Sequence, residues 1–192
     1  MKRWGELNQI RFDEKELKTD LGEGNFIFVG SSCDLFAADV PDEWIRKTLK
    51  HCDKYNSKYL FQTKNPDRFC NYIDACVISD KSIFCTTLET NRDYPEIMRN
   101  SPKPVDRVFP INMMISEVID IYVTIEPIID FDLVEMVELI HRCKPKQVNI
   151  GADSGGNNLP EPSADKIKAL IAELEKFTII HNKANLKRLL NE

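Results

Sequence analysis

The amino-acid sequence predicts an α/β protein in which crossover helices join parallel strands. Three observations lead there. Short β-rich runs alternate with stretches of helical period along most of the chain. The runs are apolar on both faces, as strands are when helices cover the sheet. The length, 192 residues, suits one domain and leaves room for six strand–helix units. A full eight-fold barrel needs about 250 residues. Two architectures stay open on these grounds, an open partial barrel and a doubly wound sheet.

The expected strands are Phe26 to Gly30, Lys58 to Thr63, Ser82 to Leu88, Asp120 to Ile125, Gln147 to Gly151 and Phe177 to His181. A helix is expected from Pro41 to about Lys54, burying Trp44, Ile45, Leu49 and Cys52. A second spans Phe131 to Cys143, with Val134, Val137 and His141 along one side. The clearest runs from Ser163 to about Lys176. There Ile167, Leu170, Ile171 and Leu174 form one stripe, and Ser163 is placed to cap the N-terminus. Pro41 and Pro66 suit a first helical position. The segment Asn91 to Glu117 reads as loop and short helices, broken by Pro95, Pro102, Pro104 and Pro110. The last segment, Lys183 to Leu190, has Leu186, Leu189 and Leu190 as its apolar face. The first 25 residues contain Trp4, Ile10, Phe12 and Leu17 but carry no strand signal.

Composition narrows the function classes. Hydrophobic residues make up 42% and charged residues 30%, which does not fit a disordered chain. A net charge of −5 argues against a surface built wholly for nucleic acid, although a local basic patch survives the average. No apolar run approaches the ~20 residues of a membrane helix. The charged start, MKRWGELNQIRFDEKELK, lacks the apolar segment of a signal peptide. A cytoplasmic protein without membrane contact is expected. The cysteines, Cys33, Cys52, Cys70, Cys76, Cys85 and Cys143, lack the close pairs of zinc and iron–sulfur sites, so no metal site is expected.

In both architectures ligands bind at the carboxyl ends of the strands. Those ends are polar throughout. Ser31, Ser32 and Asp34 follow the first strand, Lys64 the second, and Glu89, Asn91 and Arg92 the third. Glu126 follows the fourth, Asp153 and Ser154 the fifth, and Lys183 the sixth. Loops are polar anyway, but Gln62, Thr86, Thr87, Thr124 and Asn149 interrupt apolar strands before the tips. Such convergence lines a small-molecule pocket. Glu89 and Glu126 each follow a strand, where a carboxylate can accept both hydroxyls of a ribose or pair with Arg92. The GADSGGNN turn can bring backbone N–H groups close to a ligand. It is no Walker loop, and alone it reads equally well as a plain turn.

Taken in order, FIFVGSSCDLFAADVPDEWI, YLFQTKNPDRF, TTLETNRDYP, VTIEPIIDFDL and VNIGADSGGNNLPEPS resemble the radical-SAM-like proteins of phages and prophages. More distantly they resemble spore photoproduct lyases. The resemblance runs from about Arg3 to Leu190. It implies a partial (β/α)6 TIM-like open barrel of parallel strands that binds S-adenosylmethionine on a [4Fe–4S] cluster. It implies that Ser31, Ser32 and Asp34 face the methionine amino group. Glu89, Asn91 and Arg92 would face the ribose and carboxylate, and Glu126, Asp153 and Ser154 the adenine. Gln62, Lys64 and Lys183 are candidate substrate contacts. The family's C-x3-C-x2-C motif has no counterpart in the chain. The first barrel strand is therefore expected to be missing here, the chain being either a fragment or late start of a longer gene or a remnant that kept the barrel and lost the cluster. In either case this polypeptide alone should not assemble the cluster. The expected function is a radical-SAM-like enzyme core of unknown substrate. The alternatives are a cluster-less nucleotide- or S-adenosylmethionine-binding module and a phage scaffold protein.

Overall fold

The computed structural model describes residues 10–73, 81–115 and 119–191. Trp4 and Cys76 lie outside the described residues. Six strands form one parallel sheet: β1 (Phe26–Val29), β2 (Lys58–Thr63), β3 (Ser82–Thr87), β4 (Asp120–Ile125), β5 (Gln147–Ile150) and β6 (Ile179–Asn182). The helices are α1 (Asp42–Cys52), α2 (Cys70–Ile73), α3 (Pro95–Met98), α4 (Pro104–Met114), α5 (Leu133–Arg142), α6 (Ala164–Leu174) and α7 (Lys187–Leu190). Strand order in space is the order in sequence, β1 to β6. That order decides between the two architectures. A doubly wound sheet reverses direction at a switch point. Here every crossover steps the same way, and right-handed crossovers then put all helices on one face. The sheet curls into half a barrel.

The helix-side face is the core. Tyr59, Phe61, Phe84, Ile121, Val123, Ile125, Val148 and Ile150 pack there against Ile45, Leu49, Val108, Met136 and Leu170. Phe36, Phe69 and Phe84 meet edge-to-face at centroid distances of 4.7 and 4.8 Å. The opposite, inner face carries the alternate residues of each strand. Register puts Gln62, Cys85, Tyr122, Gln147 and Ile179 in one row of it. The row above, toward the C-terminal mouth, holds Thr87, Thr124, Asn149 and His181.

Four sequence expectations change. Helix α4 is one unbroken element of 11 residues, with Pro110 inside it. Pro104 opens it, where a missing N–H costs nothing. Burial of Val108, Pro110, Ile111 and Met114 offsets the lost hydrogen bond. Strand β6 begins at Ile179 rather than Phe177, because Phe177 and Thr178 still donate to the Leu174 carbonyl. Trp44 is half-buried, stacked on Phe12 at 5.4 Å. The buried stripe of α5 is Met136, Leu139, Ile140 and Cys143, not Val134, Val137 and His141. Both sets have helical spacing, and the larger, wholly apolar one took the core. Met136→Ala should therefore cost about 2–5 kcal/mol in urea unfolding. Val134→Ala, at a side chain 69% exposed, should stay within about 0.5 kcal/mol.

Candidate functional site

All strand-tip residues singled out from the sequence lie at the C-terminal end of the sheet, where they fall into four groups. In the first, the Asp34 carboxylate accepts from the Phe36 and Lys64 amides at 3.0 and 2.9 Å. It thereby ties the β1 loop to the end of β2. The Lys64 ammonium reaches the Glu89 carboxylate. Glu89 is 3% exposed, and its other oxygen accepts from Arg107 Nη1 at 2.8 Å. Arg107 is fully buried on α4. It also donates to the carbonyls of Thr87 and Pro102 at 2.6 and 2.7 Å. Glu89 thus binds Arg107 and Lys64 rather than Arg92. Ser31 and Ser32 stand exposed on the turn beside this group.

The second group is closed on itself. Arg92 makes a two-toothed contact with Asp132, at 2.8 and 2.5 Å, and a third contact with Asp130. Asn91 accepts from the Asp132 amide at 2.8 Å, and Lys166 reaches Asp130 at 2.6 Å. The Arg92 guanidinium lowers the Asp132 carboxyl to about 2. Asn91 and Arg92 therefore brace the β3 loop against the loop leading into α5.

The third group is more open. Glu126 accepts from Lys183 and, at 2.8 Å, from Asn185 Nδ2. The same amide nitrogen donates to the Ala152 carbonyl at 2.9 Å, while Asn185 Oδ1 is buried without a partner. The Glu126 side chain is 24% exposed and that of Lys183 35%. Gly151 makes the arrangement fit, since a Cβ there would stand 2.5 Å from Glu126 Oε1.

In the fourth group Asp153 accepts from the amides of Gly155 and Asn157 at 2.9 and 2.5 Å. These bonds organise the GADSGGNN turn and hold the Asp153 carboxyl below its usual range. Arg188 joins Glu161, at 2.7 Å, to the Asp153 carbonyl, at 3.0 Å. A cleft of about 440 Å³ lies there. Ser154 is exposed on the turn.

Between these groups the inner face is polar. Gln62 donates to Thr87 Oγ1 at 3.1 Å. Cys85 Sγ and Thr124 Oγ1 are 3.2 Å apart, and Asn149 bridges Thr124 to Gln147. Burial pushes the Cys85 thiol up to about 12, so it supplies no thiolate at neutral pH. The mouth offers hydrogen bonds and charge for recognition. Sequence reading missed Arg107, Asp130, Asp132, Asn185 and Arg188. Only Arg107 left a signal. With Pro104, Val108, Ile111 and Met114 it occupies the buried stripe of α4.

No family model, curated protein or solved structure matches the chain. Among the described residues no helix is long and apolar enough to cross a membrane.

Proposed function

We propose that this half-barrel binds S-adenosylmethionine at its C-terminal mouth, as the nucleoside-binding module of a radical-SAM-like protein. The observation that carries the reading is the group of Glu126, Lys183 and Asn185. It places a half-open carboxylate, an ammonium and an amide beside the polar row of Thr87, Thr124 and Asn149. A carboxylate and a cation side by side complement a ligand with both an amino and a carboxyl group, and hydroxyls and amides complement its ribose and base. Glu126 is the principal contact in this reading. Glu89 acts at one remove, by holding the exposed end of Lys64 at the rim.

A [4Fe–4S] cluster needs several thiolates within reach of one another. The described cysteines do not supply them. Cys52, Cys85 and Cys143 are buried on separate elements, with thiols pushed up to about 12. Among the described residues no three metal-binding side chains converge. No radical step is assigned to them.

Calorimetry with S-adenosylmethionine and 5′-deoxyadenosine tests the binding. Wild type should bind both in the micromolar to millimolar range. Glu126→Gln removes one charge-assisted hydrogen bond, about 1.5–3 kcal/mol, and should weaken binding roughly ten- to a hundred-fold. No heat at millimolar ligand, or an unchanged affinity in Glu126→Gln, would falsify the assignment.

A further inference from the structure

The N-terminal ends of β1 to β3, at the far end of the inner face from the mouth, carry a second arrangement. Phe26 stands opposite Lys58, and Lys81 directly precedes Ser82, the partner of Tyr59. Phe26, Lys58 and Lys81 therefore form one row across three strands. Phe28 lies one row above on the same face. The two rings are 59% and 40% exposed. A cleft of about 410 Å³ opens over the row, with Asn25, Asn56 and Ser57 along its wall. Among the described residues, Glu23 beside this end accepts from the Asn56 amide at 3.1 Å and Asp120 pairs with Lys146. The row thus presents an aromatic face with two ammonium groups beside it. Its backbone is fixed, since Lys58 N donates to Asn25 O at 2.7 Å and Tyr59 N to Lys81 O at 2.8 Å.

We propose that this end of the inner face binds a phosphorylated nucleobase, with Phe26 stacking the base and Lys58 and Lys81 holding the phosphate. A ring fixed on a strand stacks any base without being ordered first, and ammonium groups act as point charges for phosphate. Two strand spacings separate Phe26 from Lys81, about 10 Å, a span that one nucleotide covers from base to phosphate. An acidic peptide would use the lysines but leave the rings without a planar partner. An anionic membrane would need a wider basic field than two lysines on a chain of net charge −5.

A free nucleotide and the end of a single strand present the same chemistry, and the test separates them. Fluorescence anisotropy with a labelled thymidine oligonucleotide and calorimetry with AMP and with inorganic phosphate are the measurements. At least one nucleotide ligand should bind. Phe26→Ala should weaken it about five- to a hundred-fold. The double variant Lys58→Glu, Lys81→Glu should abolish binding, with an unchanged circular dichroism spectrum. For the oligonucleotide, two phosphate contacts give a slope of about −1.4 in log K against log salt. Oligonucleotide binding without AMP binding identifies a single strand as the source. AMP binding at equal or higher affinity, weakened by Phe26→Ala, identifies a free nucleotide. The losses in Phe26→Ala and in the double variant should persist in a Glu126→Gln background, which separates this site from the mouth. The proposal is overturned if neither nucleotide ligand binds at millimolar concentration. It is also overturned if inorganic phosphate binds as tightly as AMP and Phe26→Ala changes nothing, or if phosphatidylserine vesicles bind while both nucleotide ligands fail.

Discussion

Arg107→Met is expected to destabilise the fold by about 3–5 kcal/mol, a large fraction of the ~5–15 kcal/mol that holds a domain together. The methionine fills much of the same space but leaves Glu89 buried with only Lys64 to compensate it. It also strips donors from the Thr87 and Pro102 carbonyls. Most of the loss is the orphaned charge, not the missing attraction, because burying both ions already costs several kcal/mol each. Adding Glu89→Leu should therefore restore a substantial part of the loss. Urea unfolding of the two variants measures both effects. A single-variant cost below about 1 kcal/mol, or a double variant worse than the single one by the full cost of Glu89→Leu alone, would remove the buried pair from the account of stability.

Strand positions were legible because their signal is local. Runs such as KYLFQT and DIYVTI are β-rich, apolar and bounded by breakers, and β2 and β4 occupy those residues. The order of the strands was not legible. It depends on the direction of each crossover, and hydrophobic periodicity carries no record of direction. The α5 stripe was misplaced for a related reason. Val134, Val137 and His141 have acceptable helical spacing, but Met136, Leu139, Ile140 and Cys143 form the fuller set, and only packing against α6 and the sheet separates them. In α4 the local signal pointed the wrong way. Pro110 marks a break in an isolated helix, while burial of the helix's inner face outweighs it here.

At the strand ends the sequence revealed some of the residues that meet at the mouth but not how they pair. Glu89 and Arg92 are three residues apart, so a pair between them was a natural expectation. Arg92 instead turns to Asp130 and Asp132, and Glu89 to an arginine 18 positions further on. Such pairings depend on loop paths, and most charged groups at this end lie on loops. Glu126 and Lys183 are 57 positions apart and meet because β6 follows β5, which follows β4, around the curl.

On the proposed reading of the mouth, Gly151→Ala is expected to weaken S-adenosylmethionine binding roughly ten- to a hundred-fold, the same range as losing the Glu126 hydrogen bond itself. The backbone at Gly151 cannot retreat, because its N–H donates to the Ile125 carbonyl at 3.0 Å and its carbonyl accepts from Ile128 at 2.8 Å. A new Cβ would lie 2.5 Å from Glu126 Oε1 and 3.0 Å from Asn185 Oδ1. The side chain of Glu126 is the flexible partner, so it swings away and gives up Lys183 and Asn185. Stability responds to two opposed effects. Losing glycine's unfolded-state freedom gains about 0.4–1 kcal/mol, and crowding costs about 1–3 kcal/mol. Crowding wins by a small margin, and the domain stays folded. A double-mutant cycle isolates the cause. If Gly151 acts by leaving room for Glu126, Glu126→Ala removes the clash, and Gly151→Ala then becomes neutral or stabilising. The coupling in urea unfolding should be about 0.5–3 kcal/mol. Additive stabilities, or full ligand affinity in Gly151→Ala, would show that Glu126 does not depend on the missing side chain.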